Sequence, residues 1–269
     1  MNTNEIYMGL IRDCISCGDE VSPRGQLSHE LIQNNEAFNM ESPIITIEER
    51  GLDYQFMAAE AYWILTGQRH LDEFVKKNLI KYSDDGETMY GAYGPPFVAQ
   101  VDGVVSKLLA DPDTRQAVIS IWRPNPDNSK DIPCTVGMQF LLRNGRIHTN
   151  VWMRSQDVWL GLPYDLFTFT MMTAMIRARI NSHLEEMHPK YTLGFINITA
   201  GSRHLYNRHV EVSQDLSATW HHSSDHGEKL VLDYTKINNP DSLLLALDIS
   251  RRALAHNYVD TLRSQLCLQ

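Results

Sequence analysis

Between residues 136 and 180 the chain leaves little freedom of fold. Residues 136–142 and 147–153 are two apolar runs around Asn144-Gly145. That dipeptide is a strong short-range signal for a tight hairpin, because its turn needs residues that tolerate positive φ. Residues 166–180 follow as a long, mostly apolar stretch that reads as a helix central to the core.

The flanking segments predict further elements of both kinds. Residues 4–16 place Ile6, Leu10, Ile11 and Ile15 near one helical face, and Ser22-Pro23-Arg24-Gly25 breaks the chain into a turn. A second helix is expected over 53–66, stopped by Gly67, and a third over 99–110, after a loop rich in Gly, Pro and Asp at 83–97. Residues 117–122 and 192–198 read as strands, Gly201 to His209 as the opening of a helix, and 241–265 as helical. No linker stands out and the elements mix in irregular order, so the expectation is one α+β domain spanning 1–269.

A net charge of −9 argues against a broad basic surface for a nucleic acid polymer, but it allows a local group of arginines for a nucleotide monomer. No apolar run approaches the roughly 20 residues of a membrane span. The start, Met-Asn-Thr-Asn-Glu, has neither a basic nor an apolar signal core, so a soluble cytoplasmic protein is expected. The four cysteines, Cys14, Cys17, Cys134 and Cys267, are spaced as free thiols and not as a disulfide framework. Cys14-x-x-Cys17 has no second pair and reads as a helix end. His221, His222 and His226 lie in a polar stretch without a carboxylate or thiol framework and read as a solvated loop, so no metal is expected.

Taken singly, the candidate site residues are ambiguous. Cys134, after Pro133 at the mouth of the hairpin, has the burial habit of any free cysteine. Glu60 shares a helical side with Phe56, Trp63 and Ile64, where a carboxylate is costly unless paired or used. Asp165 is as well placed to cap a helix beginning at Leu166 as to touch a ligand.

Their order resolves the ambiguity. Asp111-Pro112-Asp113-Thr114-Arg115, Pro133-Cys134, Arg154-Ser155-Gln156-Asp157-Val158-Trp159-Leu160-Gly161-Leu162-Pro163 and His204-Leu205-Tyr206-Asn207-Arg208-His209 together resemble the thymidylate synthase family. The similarity runs from Arg24 to about His209. It implies a three-layer α+β fold with a mixed sheet flanked by helices, and a back-to-back homodimer. Each site would take a pyrimidine nucleoside monophosphate and 5,10-methylenetetrahydrofolate as cosubstrate, without a metal. By the same resemblance Cys134 is the nucleophile, and Arg24, Arg154 and Ser155 hold the phosphate. Arg115 is donated across the dimer interface, and His204 and Tyr206 meet the sugar. Asp157, with Gly161 beside it, binds the pterin; Glu60 orders water near the base, and Tyr93 (or nearby Tyr90) lies by the thiol.

These types suit the chemistry. C5 of a pyrimidine is a poor nucleophile until a thiolate adds at C6, and a thiolate is favoured by nearby positive charge such as phosphate-binding arginines. Three departures narrow the substrate. Asp165 stands where the synthases carry an asparagine that reads uracil; a carboxylate accepts from the amino group and protonated N3 of cytosine, as in phage dCMP hydroxymethylases. Cys134-Thr135 replaces the usual Cys-His. No Trp lies between Trp63 and Trp122, around Lys81, where the synthases shield the methylene intermediate from water. Gln116 replaces a second interface arginine, and the short apolar C-terminal lid gives way to a helix-like 253–269. The expected activity is therefore dCMP hydroxymethylation. A dCMP methyltransferase, a CMP or dUMP hydroxymethylase, a thymidylate synthase and a non-catalytic nucleotide- or RNA-binding relative are the alternatives.

Overall fold

A computed structural model describes residues 2–124, 126, 128–222, 229–253 and 258–268. The hairpin forms where the sequence places it. β4 (Thr135–Arg143) and β5 (Arg146–Met153) pair antiparallel through Asn144 (φ 52°) and Gly145 (φ 73°). Along β5 the residues Ile147, Thr149, Val151 and Met153 are buried while Arg146 and Trp152 are exposed, the period-two pattern of a strand with one face in the core.

The strand after the central helix is longer than its apolar pattern suggests. β7 runs Thr192–Tyr206, so the segment from Gly201 to Tyr206 is strand and not the start of a helix. The physical reason is a partner with no clear apolar alternation, β2 (Ser28–Asn39), which pairs with β7 from Ser28↔Tyr206 to Asn39↔Phe195 and supplies the ladder bonds those polar residues need. β1 (Asp19–Val21) pairs with β2, β3 (Val118–Ser120) with β4, and the two-residue β6 (Gln156–Asp157) with β7. The main sheet order is β1-β2-β7-β5-β4-β3; β5 and β6 lie parallel to β7 and the other pairs are antiparallel. The fold is α+β, a mixed sheet flanked by helices.

α1 (Thr3–Cys17) is fixed by an Asn2/Glu5 capping box and packs on β2 and β7. α2 (Tyr54–Leu65) is capped by Asp53, α3 (Glu73–Leu79) by Asp72. α4 (Gly94–Ala110) and α5 (Leu162–His183) both carry Pro in the first turn, which explains why they begin before their apolar patterns do. α5 is the core helix, with Phe167, Phe169, Met171 and Met172 fully buried. α6 (Val210–His222) carries His221 and His222 into its last turn, so they are not in a loop; His226 lies outside the described residues. The expected C-terminal helix is two, α7 (Pro240–Arg251) and α8 (Tyr258–Leu266), with 254–257 outside the described residues.

Candidate active site

The loop before β4 delivers Cys134, and a second loop holds it in place. Asp131 accepts the Gly91 backbone N–H through Oδ2 at 2.7 Å, and a Cβ at Gly91 would sit 2.6 Å from the Asp131 carbonyl. That close approach brings Tyr93, not Tyr90, beside the thiol. The Tyr93 hydroxyl accepts from the Thr135 N–H at 3.3 Å and its ring stacks on Phe169, whereas Tyr90 lies under Arg123. Burial, with Cys134 and Asp165 nearby, keeps the Tyr93 hydroxyl protonated well above its usual range.

Arg154 braces Cys134 from the other side. Its backbone N–H donates to the Cys134 carbonyl, Nε to the Pro133 carbonyl at 2.9 Å and Nη2 to the Ile132 carbonyl at 2.8 Å, leaving Nη2 3.7 Å from Sγ of Cys134. Burial raises the thiol pKa, Arg154 and Arg24 lower it, Asp165 and Asp131 raise it, and burial wins. Desolvation and the two carboxylates thus outweigh the two arginines and push the thiol up.

Arg24 is exposed, at φ 53° in the 3₁₀ turn Pro23–Gly25, with its charge reaching both Cys134 and Tyr206. Ser155 is half-buried next to Arg154, and Tyr206 and the buried His204 meet edge to face at 5.0 Å. Arg115 sits exposed in the turn ahead of β3, its carbonyl accepting from Gln139. Within one chain it is the candidate that is not gathered with the rest.

Asp165 does not cap a helix. α5 begins at Leu162, has no side-chain cap, and takes Asp165 inside its first turns with the Asp165 N–H donating to the Gly161 carbonyl. Its Oδ2 accepts from Nε2 of Gln156 at 3.1 Å. Burial foremost raises the carboxyl pKa to about 7, against the Gln156 bond and the Arg203 charge. Glu60, on α2, is raised to about 8, first by burial and then by the charge of Asp165, with the Thr168 hydroxyl pulling the other way. Two carboxyl groups close enough to act on each other are thus both pushed up toward neutral pH, the range in which acid–base chemistry works.

Farther along the same motif, Asp157 uses Oδ1 to accept the Trp159 and Leu160 N–H groups at 2.8 and 3.0 Å. Its other oxygen takes no bond that is seen among the described residues, and suits a ligand rich in N–H donors. Gly161 is closely packed: a Cβ would lie 3.1 Å from the Asp157 carbonyl and 3.4 Å from Oδ2 of Asp165. A shelf is built here by Trp159, covered by the Arg50 guanidinium 3.4 Å from the ring centroid and stacked by His209.

Gln156, Asp131 and Arg50 are the participants that reading the sequence passed over. Gln156 and Asp131 stand within or beside the motifs, where their neighbours drew the attention; Arg50 had no local signal. The C-terminal segment packs on its own neighbours and on α2. Leu268 donates to Val231 and Cys267 bridges Leu232, while Arg251 lies between the rings of Tyr62 and Phe74. Among the described residues no three His, Cys, Asp or Glu side chains gather as a metal site, and no helix is long and apolar enough to cross a membrane.

The family profile described as "Thymidylate synthase" matches residues 5–239. Over 181 residues the chain is 32% identical to "Deoxyuridylate hydroxymethyltransferase" of Bacillus phage SP01, a match covering 58% of this chain and 47% of that protein. The chain thus spans about half the length of that curated relative.

Proposed function

The chain belongs to the thymidylate synthase family, and from that premise we propose that it is a one-carbon transferase that hydroxymethylates dCMP at C5. The reading rests on one observation above the others: Asp165, freed from any capping role and held by Gln156, lies close enough to both Cys134 and Glu60 for its charge to act on each. A carboxylate there accepts the 4-amino hydrogen and stabilises positive charge as N3 becomes protonated. A 4-oxo base would set two acceptors against each other.

In the proposed reaction Cys134 loses its proton, bonds to C6 and makes C5 nucleophilic; it leaves by elimination once C5 has lost its own proton. The reduced folate supplies the one-carbon unit at the formaldehyde oxidation level. Asp157 is the acceptor for its pterin N–H groups, over the space that Gly161 leaves open. Glu60, neutral or charged near pH 8, relays protons through water to and from the base. C5 bonds to the folate's one-carbon unit, that carbon's bond to nitrogen breaks so that tetrahydrofolate leaves, and water adds to the methylene left on C5 to supply the product's hydroxyl. Lys81 and Tyr82, at the position of the shielding tryptophans, are exposed, and Tyr82 is near enough to Tyr206 to act on its hydroxyl. Water access at that rim supports hydroxymethyl over methyl transfer.

The outer face of the sheet supports a homodimer of single-domain chains. Val118, Val136, Trp152 and Phe195 are exposed on it, and an amide ladder runs Asn197 to Asn150 to Gln139 to the Arg115 carbonyl. In the dimer Arg115 would complete the partner's phosphate site.

A second reading, dUMP hydroxymethylation, is favoured by the phage relative. Incubation of each nucleotide with 5,10-methylenetetrahydrofolate and mass spectrometry of the product tests both. A gain of 30 Da on dCMP is expected. A gain of 14 Da with dihydrofolate formation means methyl transfer, and turnover of dUMP alone means that Asp165 does not select the base.

A further inference from the structure

We propose that Gln156 is the positioning residue of base recognition: by holding Oδ2 of Asp165 it leaves the other carboxylate oxygen to read a 4-amino group. The inference rests on the dCMP reading above and extends it to a residue that touches the substrate only through Asp165.

Three observations carry it. β6 pairs Gln156 with Arg203 of β7, so the backbone that bears the amide is fixed by the sheet. The side chain is buried, and its Nε2 lies 3.1 Å from Oδ2 of Asp165 and 3.1 Å from the sulfur of Met153. Its Oε1 is also buried and has no hydrogen-bond partner seen among the described residues. An orphaned amide oxygen is destabilising, and a methionine or leucine would fill the same space without that cost. The amide is therefore accounted for by the bond its nitrogen makes, not by packing.

The bond has a direction that matters. An N–H donor on Oδ2 fixes the carboxyl plane and favours the ionised, acceptor-only state that a 4-amino base requires. The other groups bearing on Asp165 are Arg203 on β7, which also favours ionisation, and Asp157, Glu60, Cys134 and Tyr93, which interact with it as like or protonated neighbours.

The test uses Gln156→Met and Gln156→Glu in the full chain, each also combined with Asp165→Asn. The Met variant is expected to lower the preference for dCMP over dUMP about tenfold, moving the acid limb of kcat/KM to higher pH. In the Asp165→Asn background it should change the preference little, since there is no carboxylate left to position. The Glu variant should shift preference further toward dUMP. Equal losses for both bases, or the same loss with and without Asp165, would overturn the inference and leave Gln156 a packing residue. A readout independent of turnover separates this outcome from failure of the dCMP reading: 13C NMR titration of the Asp165 carboxyl without nucleotide. If Gln156→Met raises its pKa, the bond to Asp165 stands even in an enzyme that uses only dUMP; an unmoved pKa overturns it even in one that uses only dCMP.

Discussion

At Cys134 two opposing influences meet, and burial exceeds the pull of Arg154 and Arg24. Alkylation by iodoacetamide should accordingly rise with pH along a curve centred above that of a free cysteine thiol, and Arg154→Ala should move the curve higher still. Cys134→Ser should abolish tritium release from C5 of the substrate by at least about a thousandfold. Glu60 and Asp165 make a second prediction, on stability. Their carboxyl pKa values rise on folding from 4.5 to about 8 and from 3.8 to about 7. Between those limits the native state binds more protons than the unfolded chain, so stability falls as pH rises through roughly 4 to 8. Glu60→Gln should remove part of that loss. Urea denaturation should find the variant more stable than wild type at pH 8, by on the order of 1–2 kcal/mol, and not at pH 4.

At the scale of elements, the site depends on loops pressed against each other. The Gly91 to Tyr93 segment reaches Cys134 only because Gly91 has no Cβ to strike the Asp131 carbonyl. Gly91→Ala should cost about 1–3 kcal/mol in urea denaturation and lower kcat more than it raises KM, since the thiol and Tyr93 lose register while Arg24, a proposed phosphate ligand outside these loops, stays. α2 is held from outside: Gln55 donates to the Arg251 carbonyl, and Arg251 pairs with Asp72 and Asp248. The C-terminal helices thus stabilise the helix that bears Glu60, which distinguishes their task from that of an active-site lid.

At the scale of the molecule, the proposed site needs an arginine from a second copy. Arg115 is exposed at the start of the sheet's edge strand, and a second copy on the outer sheet face is the proposed route by which it reaches a phosphate. Arg115→Ala and Cys134→Ser homodimers should each be nearly inactive. Mixed and re-equilibrated, they should recover roughly a quarter of wild-type activity, because one site in each hybrid has both groups intact. No recovery would place Arg115 in its own chain's site or outside catalysis. Trp152→Glu should shift the protein toward monomer in sedimentation velocity and lower activity with it.

Local chemistry was enough to read the hairpin at Asn144-Gly145, the helix behind it and the motif set around Cys134, Arg154 and His204, because turn conformation, apolar period and residue order are properties of short stretches. The long strand at Ser28–Asn39 was not legible, and with it the extension of β7 to Tyr206, since a polar strand is stabilised by the partner it pairs with. Asp165 shows the same division within one residue. Its identity, and the base it suits, come from the sequence; its release from a capping role came only from the start of α5 at Leu162. The arginines that act on Cys134 were visible in the sequence, and the burial that opposes them was not. Desolvation, close backbone approach and the grip of Gln156 on Asp165 all depend on distances between segments far apart in the chain, and only the tertiary structure determines those.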